Sequence, residues 1–431
     1  MIAQKQLAQT LSSAALQQQF AVLYGSDPDQ LTAQKSRWLH LADLFASQFP
    51  NHTEVRLFST PGRTEVGGNH TDHQHGRVLC ASVDLDIIAV AAPNHDHVVR
   101  LKSEGFPQMD VIDLNQLEII DTEKEHSASL IRGIAAAFHQ RGYKIGGFDA
   151  YTSSHVPKGS GLSSSAAFEV LVATMMDQMW SGGVVSPLER AMAGQFAENR
   201  YFGKPSGLMD QCGCSVGGFI GIDFKTPGQP IVTPIQLDFG QSGYCLIITN
   251  TGGNHADLTD EYASIPRDMK LVASLLGQAV LRDVEPDIFW QKLADLRDKV
   301  NDQALLRAIH FFQDDNRVSL QTAALQAGDI DQFLSLVRAS GNSSRSQLQN
   351  VYATRYFQEQ PISLALSLSE HVLAGKGACR VHGGGFAGTI QAFVPMDLAD
   401  AYLVAMRSLF GANAPWKMRI RSVGSTELID G

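Results

Sequence analysis

The stretch PKGSGLSSSAAFEV, residues 157–170, is the tightest constraint in the chain. Glycine turns the backbone without steric cost, and serine is a favoured helix N-cap. Here Gly159 and Gly161 precede Ser163, Ser164 and Ser165, and an Ala-rich apolar run follows at once. The fold must therefore place a turn-forming loop at the start of a helix. Such a loop points several free amides at one spot, and the helix dipole adds partial positive charge there, which makes a seat for an anion such as a phosphate. The same residues also suit an ordinary capped helix, and the stretch by itself does not choose between the two.

Size and charge narrow the field. A chain of 431 residues exceeds one small core and is expected to form two or three lobes. Its 44% hydrophobic and 18% charged residues are ordinary for a soluble globular protein. The balance of 34 basic against 44 acidic residues, 34 − 44 = −10, argues against a nucleic-acid backbone as the main partner. It leaves room for a nucleotide in a local pocket. Cys80, Cys212, Cys214, Cys245 and Cys379 form no disulfide framework, which points to a reducing cytoplasm. The Cys212-x-Cys214 pair lacks the second pair that a zinc site needs. The first residues lack the basic start and apolar core of a secretory signal, and the longest apolar stretch is broken by Asp84 and Asp86, so no membrane partner is expected. Oligomeric state is not readable from these features.

Periodicity predicts helix over 1–46, a strand at 55–59, one or two strands over 76–93, a helix over 126–141 and a strand over 147–154 running into the Gly/Ser loop. Helices are expected from Ser163 to about Trp180 and over 187–202. The second half opens with a strand at 244–250. Long helical patterns follow at 265–311 and 318–338, then strand, glycine turn and strand over 376–395, and a helix over 396–411 closed by Gly411. The mixture predicts an α+β fold of two lobes, 1–235 and 236–431, divided near the Gly/Pro-rich KTPGQPIVTP.

Three further segments carry candidate chemistry. FSTPGRTEVGGNHTDHQHGRVL (58–79) reads as a turn-rich segment between strands, crowded with Arg63, Asn69, His70, Asp72, His73 and His75. Polar groups on such a loop grip a polar ligand or simply water. In KPSGLMDQCGCSVGG (204–218), Asp210 follows a Pro-Ser-Gly turn and suits either a general base or a helix cap. HGGGFAGT (382–389) is a second glycine loop, where backbone approaches something closely or a hairpin bends tightly. There is no Walker A pattern, no protein-kinase motif set and no strand-G-x-G-x-x-G-helix unit, so a bound nucleotide would need a different phosphate loop.

Taken in order, these segments resemble the GHMP kinases and, among them, the galactokinase family. PGRTEVGGNHTDHQHGRVL is similar to the galactokinase signature, a Gly-Arg followed by a short apolar run and G-E-H-T-D-Y. KGSGLSSSAAFEV resembles the GHMP phosphate loop, HGGGFAGT the third GHMP motif, and GLMDQ the segment bearing the catalytic aspartate. NHADLTDEY (254–262) resembles a sugar-side stretch ending in tyrosine, and SGNSSRSQLQNVY (340–352) is a looser match. The resemblance spans residues 55 to 395. It implies the two-lobed GHMP kinase fold with the active site in the cleft between lobes, and transfer of the γ-phosphoryl group of ATP to a hexose C1 hydroxyl with Mg²⁺.

The resemblance also implies roles. Asp210 matches the base and Arg63 the arginine beside it. Asn69, His70, Asp72, Gly207 and Tyr262 match sugar contacts. Gly159, Ser160, Gly161, Leu162, Ser163, Ser164, Ser165 and Ala166 form the ATP phosphate loop, with Ser165 and Glu198 as Mg²⁺ ligands. The adenine side carries no motif, and the segment Asn94–Arg100 is one candidate for it. The chain departs from the pattern where galactokinases carry glutamate instead of Asn69 and Tyr-Asn instead of His73-Gln74. Galactose is the first expected substrate. Loss of that negative charge makes galacturonic acid or a related sugar the second, and a non-catalytic galactose sensor is a third reading.

Overall fold

Residues 77–93 are mostly apolar and form one unbroken strand buried on nearly all its length, the spine of a large mixed sheet. The computed structural model describes residues 2–157, 159–253 and 258–429. In chain order its strands are β1 (Ile2–Ala3), β2 (Glu54–Gly67), β3 (Arg77–Pro93), β4 (Val98–Ser103), β5 (Met109–Asp113), β6 (Phe148–Ser154), β7 (Phe219–Asp223), β8 (Ile231–Ile235), β9 (Tyr244–Asn250), β10 (Ala378–His382), β11 (Thr389–Pro395), β12 (Pro415–Met418) and β13 (Thr426–Leu428). The first sheet runs β1-β2-β3-β6-β4-β5, with β13 added to β2 and the β7–β8 hairpin added to β3. One half of β3 pairs with β7 and the other with β6. The second sheet, β10-β11-β9-β12, is antiparallel throughout.

Several expectations shift. The segment 58–79 is not all turn. β2 continues through PGRTEVG to Gly67, and slips in register between Pro61 and Arg63 and between Glu65 and Gly67 absorb the proline and the glycines. The turn begins only at Gly68 (φ +82°) and includes His70 and His75 in left-handed conformations. The N-terminal helical region opens with β1 and is divided into Leu7–Thr10, Ala14–Tyr24 and Pro28–Gln48. The pattern over 265–311 is likewise interrupted, giving Thr259–Leu275, short helices at Pro286–Gln291 and Leu293–Arg297, and then Asp302–Gln326. Apart from β13, which returns to β2, the first sheet is drawn from residues 2–235 and the second from 244–418.

A buried charge cluster ties the N-terminal helices to the sheet. The fully buried Asp86 accepts hydrogen bonds from Tyr24 (2.8 Å), Arg37 (2.6 Å) and Ser59, and Arg421 lies 3.4 Å away. Burial alone would raise this carboxyl, but the Arg37 and Arg421 guanidiniums overcome it and hold it below its ordinary value. Removing one partner from such a cluster strands the other charges in low dielectric and costs about 3–5 kcal/mol. Asp86→Ala is therefore expected to lower unfolding free energy by about that amount at neutral pH in a urea titration. A depressed folded value means that the stability is complete above about pH 4 and lost as pH falls through the folded value. The gap between wild type and variant should accordingly narrow in acid.

Candidate active site

Three segments distant in sequence, β2, the Gly/Ser loop and the helix Met209–Val216, converge at one point. Arg63, 7% exposed, donates from Nε to Asp210 Oδ1 at 2.8 Å, and its Nη2 lies 2.5 Å from the same oxygen. Its Nη1 donates to the Gly161 carbonyl. The other Asp210 oxygen accepts the Ser163 hydroxyl. Burial raises the Asp210 carboxyl, yet the Arg63 charge and the bonds from Arg63 and Ser163 outweigh it and hold the group below the usual carboxylate range. The Asp210 side chain is still 37% exposed, so its carboxylate faces open space from the first turn of its helix.

The loop before the helix Ser164–Met176 is built from left-handed residues: Gly159 (φ +70°), Gly161 (φ +72°) and Ser163 (φ +59°). Ser163 occupies the N-cap position but makes no cap bond, because its hydroxyl is given to Asp210. The first-turn amides at 164–166 consequently have no intrahelical acceptor and remain available to a ligand. Ser160 turns inward, bonding the Pro157 carbonyl and the Leu162 amide, and the Leu162 and Ala166 side chains are buried. Those three residues shape the loop, while Ser165 stands exposed on the helix start. Lys158 lies outside the described residues.

The third motif docks onto the sugar-signature turn through its own backbone. The Gly383 carbonyl accepts Asn69 Nδ2 (2.8 Å), the Gly384 carbonyl accepts His70 Nε2 (2.9 Å), and the Gly385 carbonyl accepts the Tyr262 hydroxyl (2.9 Å). A Cβ at Gly384 would lie 2.5 Å from the Tyr262 ring, so only glycine fits there. Burial pushes His70 down to about 3, which keeps the ring neutral; with Nε2 donating, its Nδ1 is an acceptor, buried and unpartnered. Gly207 sits against Asp72, whose Oδ2 would be 2.9 Å from a Cβ there. His73 is exposed. The opening of NHADLTDEY, residues 254–257, lies outside the described residues.

Asn69 differs from expectation. It is fully buried with its amide saturated: Nδ2 donates to Glu65 (2.9 Å) and the Gly383 carbonyl, while Oδ1 accepts from Asn350 (2.7 Å) and Ser344 (3.4 Å). A sugar could bind this side chain only by displacing a protein partner.

Glu198 lies just past the helix Pro187–Ala197 and is 4% exposed. Its two oxygens hold Lys204 (2.8 Å) and Gln211 (3.0 Å), and Gln211 also donates to Glu169 (2.9 Å). Burial and the neighbouring Glu198 charge drive the Glu169 carboxyl well up, and its Oε1 is buried without a partner. Sequence reading passed over Glu169, Lys204, Gln211, Glu65 and Asn350. The one visible signal was Glu169 itself, a lone charge in the apolar run AAFEVLVATMM.

A cavity of about 1100 Å³ opens beside the loop, lined by Phe106, Pro107, Met109, Phe168 and Phe202 and reaching Ser164 and Ser165. The segment 94–100 does not line it. Asn94 is instead engaged with the Val98 carbonyl and Asp149, both at 2.9 Å.

Comparison with known proteins places this geometry. The family model described as the GHMP kinases N terminal domain matches residues 129–218, and the galactokinase galactose-binding signature matches residues 43–93. These two matched segments ally the chain with the GHMP kinases and, through the galactose-binding signature, with the galactokinases. A crystal structure of Lactococcus lactis galactokinase complexed with galactose superposes with a TM-score of 0.75 at 26% identity, covering 90% of this chain and 99% of that one. The mevalonate kinase of Methanococcus jannaschii shares the fold at 13% identity, with a TM-score of 0.59 over 84% of this chain and 98% of its own. The α+β fold is therefore the GHMP kinase fold, and the protein is a sugar kinase.

The loop supplies a direct test of how closely its backbone is constrained. A Cβ at Gly161 would stand 3.0 Å from His382 Nδ1 and would sit on a left-handed backbone. Gly161→Ala is expected to cost about 1–2 kcal/mol from the backbone alone, read as a loss in urea-unfolding free energy.

Proposed function

We propose that the protein transfers the γ-phosphoryl group of ATP to the anomeric hydroxyl of galactose, giving galactose 1-phosphate and ADP. The observation that carries this reading is the convergence of Arg63, Asp210 and Ser163 at the start of the helix Ser164–Met176. The five cysteines are all buried and unpaired, in keeping with work in a reducing cytoplasm. No helix among the described residues is long and apolar enough to cross a membrane.

Phosphoryl transfer asks a protein mainly for positioning and charge neutralisation. The 1100 Å³ cavity offers an apolar seat for the base, with the phosphate tail at the free amides of 164–166. Arg63 neutralises charge on the transferring group. A carboxylate held below its ordinary value is a weak base, so Asp210 orients the sugar hydroxyl and takes its proton late, once bonding to phosphorus has acidified it. His70 Nδ1 and Asp72 are acceptors for ring hydroxyls.

The donors near the loop, the Ser165 hydroxyl and the Glu198 and Asp210 carboxylates, are the hard oxygens that Mg²⁺ prefers, and the unpartnered Glu169 Oε1 adds negative charge beneath them. Among the described residues no three His, Cys, Asp or Glu side chains form a metal cage, so nucleotide phosphates would complete the coordination. Bound there, Mg²⁺ supplies charge neutralisation at the β,γ-phosphates. Lys204, whose side chain is 61% exposed, holds Glu198 in its place.

A panel of sugars with ATP tests the assignment. Saturable formation of galactose 1-phosphate is expected, whereas turnover of galacturonate with none of galactose overturns it. Asp210→Asn should reduce kcat by about 10²–10⁴-fold while calorimetry shows ATP binding near wild type. Lys204→Met should tighten Mn²⁺ binding in the presence of ADP by about twofold to fivefold, the worth of a partly exposed ion pair, measured by electron paramagnetic resonance.

A further inference from the structure

Asn69 has spent its amide inside the protein, and four residues earlier Glu65 presents the opposite case. β2 pairs with β3 without a slip from Arg63 to Glu65 (Arg63↔Ser82, Thr64↔Ala81, Glu65↔Cys80). Strand alternation therefore puts the Glu65 side chain on the same face as Arg63, which reaches Asp210. The Glu65 side chain is only 8% exposed. Its Oε1 accepts from Arg380 Nη2 at 3.0 Å and Asn69 Nδ2 at 2.9 Å. Its Oε2 has no hydrogen-bond partner among the described residues, and unlike Glu169 Oε1 it is not sealed from solvent. Burial raises the Glu65 carboxyl above its ordinary value and the Asp72 charge adds to the rise, while the Arg380 charge, the Asn69 bond and the Arg63 charge favour the ionised form. A nearly buried carboxylate, fixed through one oxygen by a fully buried arginine and open through the other, is a preorganised acceptor.

We propose that Glu65 is a specificity-determining residue that binds a hydroxyl of the sugar away from its anomeric end, the place that Asn69 cannot serve. This inference rests on the sugar-kinase reading above. Two consequences follow from the chemistry. A hydroxyl given to a charged acceptor contributes strongly to recognition. A substrate that carries its own carboxylate would meet Glu65 and Asp72 together, two like charges, so a neutral hexose is preferred over a uronate.

The test uses the full chain and Glu65→Gln, which keeps an amide oxygen for Arg380. Wild type is first assayed on galactose; failure there sinks the kinase reading before the variant is examined. The variant is then compared with wild type on galactose, on 3-, 4- and 6-deoxygalactose and on galacturonate. Glu65→Gln should lower kcat/KM for galactose about 10- to 100-fold, mainly through KM, with KM for ATP unchanged. On the one deoxy sugar that lacks the contacted hydroxyl, variant and wild type should agree within about threefold, the closure of a double-mutant cycle. The galacturonate-to-galactose ratio should rise in the variant. An unchanged KM for galactose, or an equal loss on every deoxy sugar, overturns the proposal and leaves Glu65 as a support for Arg380 alone. Should the variant not fold, wild type decides: affinity for galacturonate equal to that for galactose overturns the proposal, and clear preference for galactose supports it.

Discussion

The Arg63–Asp210 pair is the joint on which the site depends. One guanidinium grips a carboxylate on the helix Met209–Val216 and the Gly161 carbonyl of the phosphate loop, so β2, helix and loop are fixed against each other by one side chain. A point charge on a flexible stem could not do this, because the planar fork of arginine serves several acceptors at once. The pair also sets chemistry. With Arg63 at 2.8 Å, the Asp210 carboxyl is held below its ordinary value despite its burial, and in the proposed function that carboxylate is a strong acceptor for a sugar hydroxyl.

Glycines do comparable work on the other wall. Three consecutive carbonyls, at 383, 384 and 385, each receive a donor from Asn69, His70 and Tyr262. At Gly384 and Gly385 a Cβ would collide with the Tyr262 ring and with Asn350, so the close approach there needs glycine. Asn350 closes the arrangement by donating to both Asn69 Oδ1 and the Gly384 carbonyl. The result is a wall whose polar groups are mostly satisfied by protein, with His70 Nδ1, Asn350 Oδ1 and Glu65 Oε2 among those left over.

Much of this was legible in the sequence, because motifs report local backbone demands. The Gly/Ser loop announced a helix start, and the glycine turn was placed correctly between two strands, whereas the helix Met209–Val216 that carries Asp210 was not expected. Reading failed where the decisive fact lies in space. The polarity of PGRTEVGGN suggested a loop, but the segment is mostly strand because both its faces are covered. Asn69 looked like a ligand group, and its amide saturation depends on Ser344, Asn350 and Gly383, some 275 to 314 residues away. Glu198 lies in the last helical turn and Lys204 just beyond it, yet nothing in their spacing revealed that they pair.

Ser163 has one further consequence. Its hydroxyl is the only described bond joining the phosphate loop's serines to the sugar-facing carboxylate, and its backbone is left-handed without being glycine. A sugar hydroxyl that takes over Asp210 Oδ2 would release Ser163 from the tether that helps maintain that conformation, altering the very amides a nucleotide meets. Thermodynamic reciprocity then requires that occupancy on the nucleotide side alter sugar affinity by the same factor. On the proposed reading, the sugar seat and the nucleotide seat are linked through one hydroxyl, so filling either one changes the other.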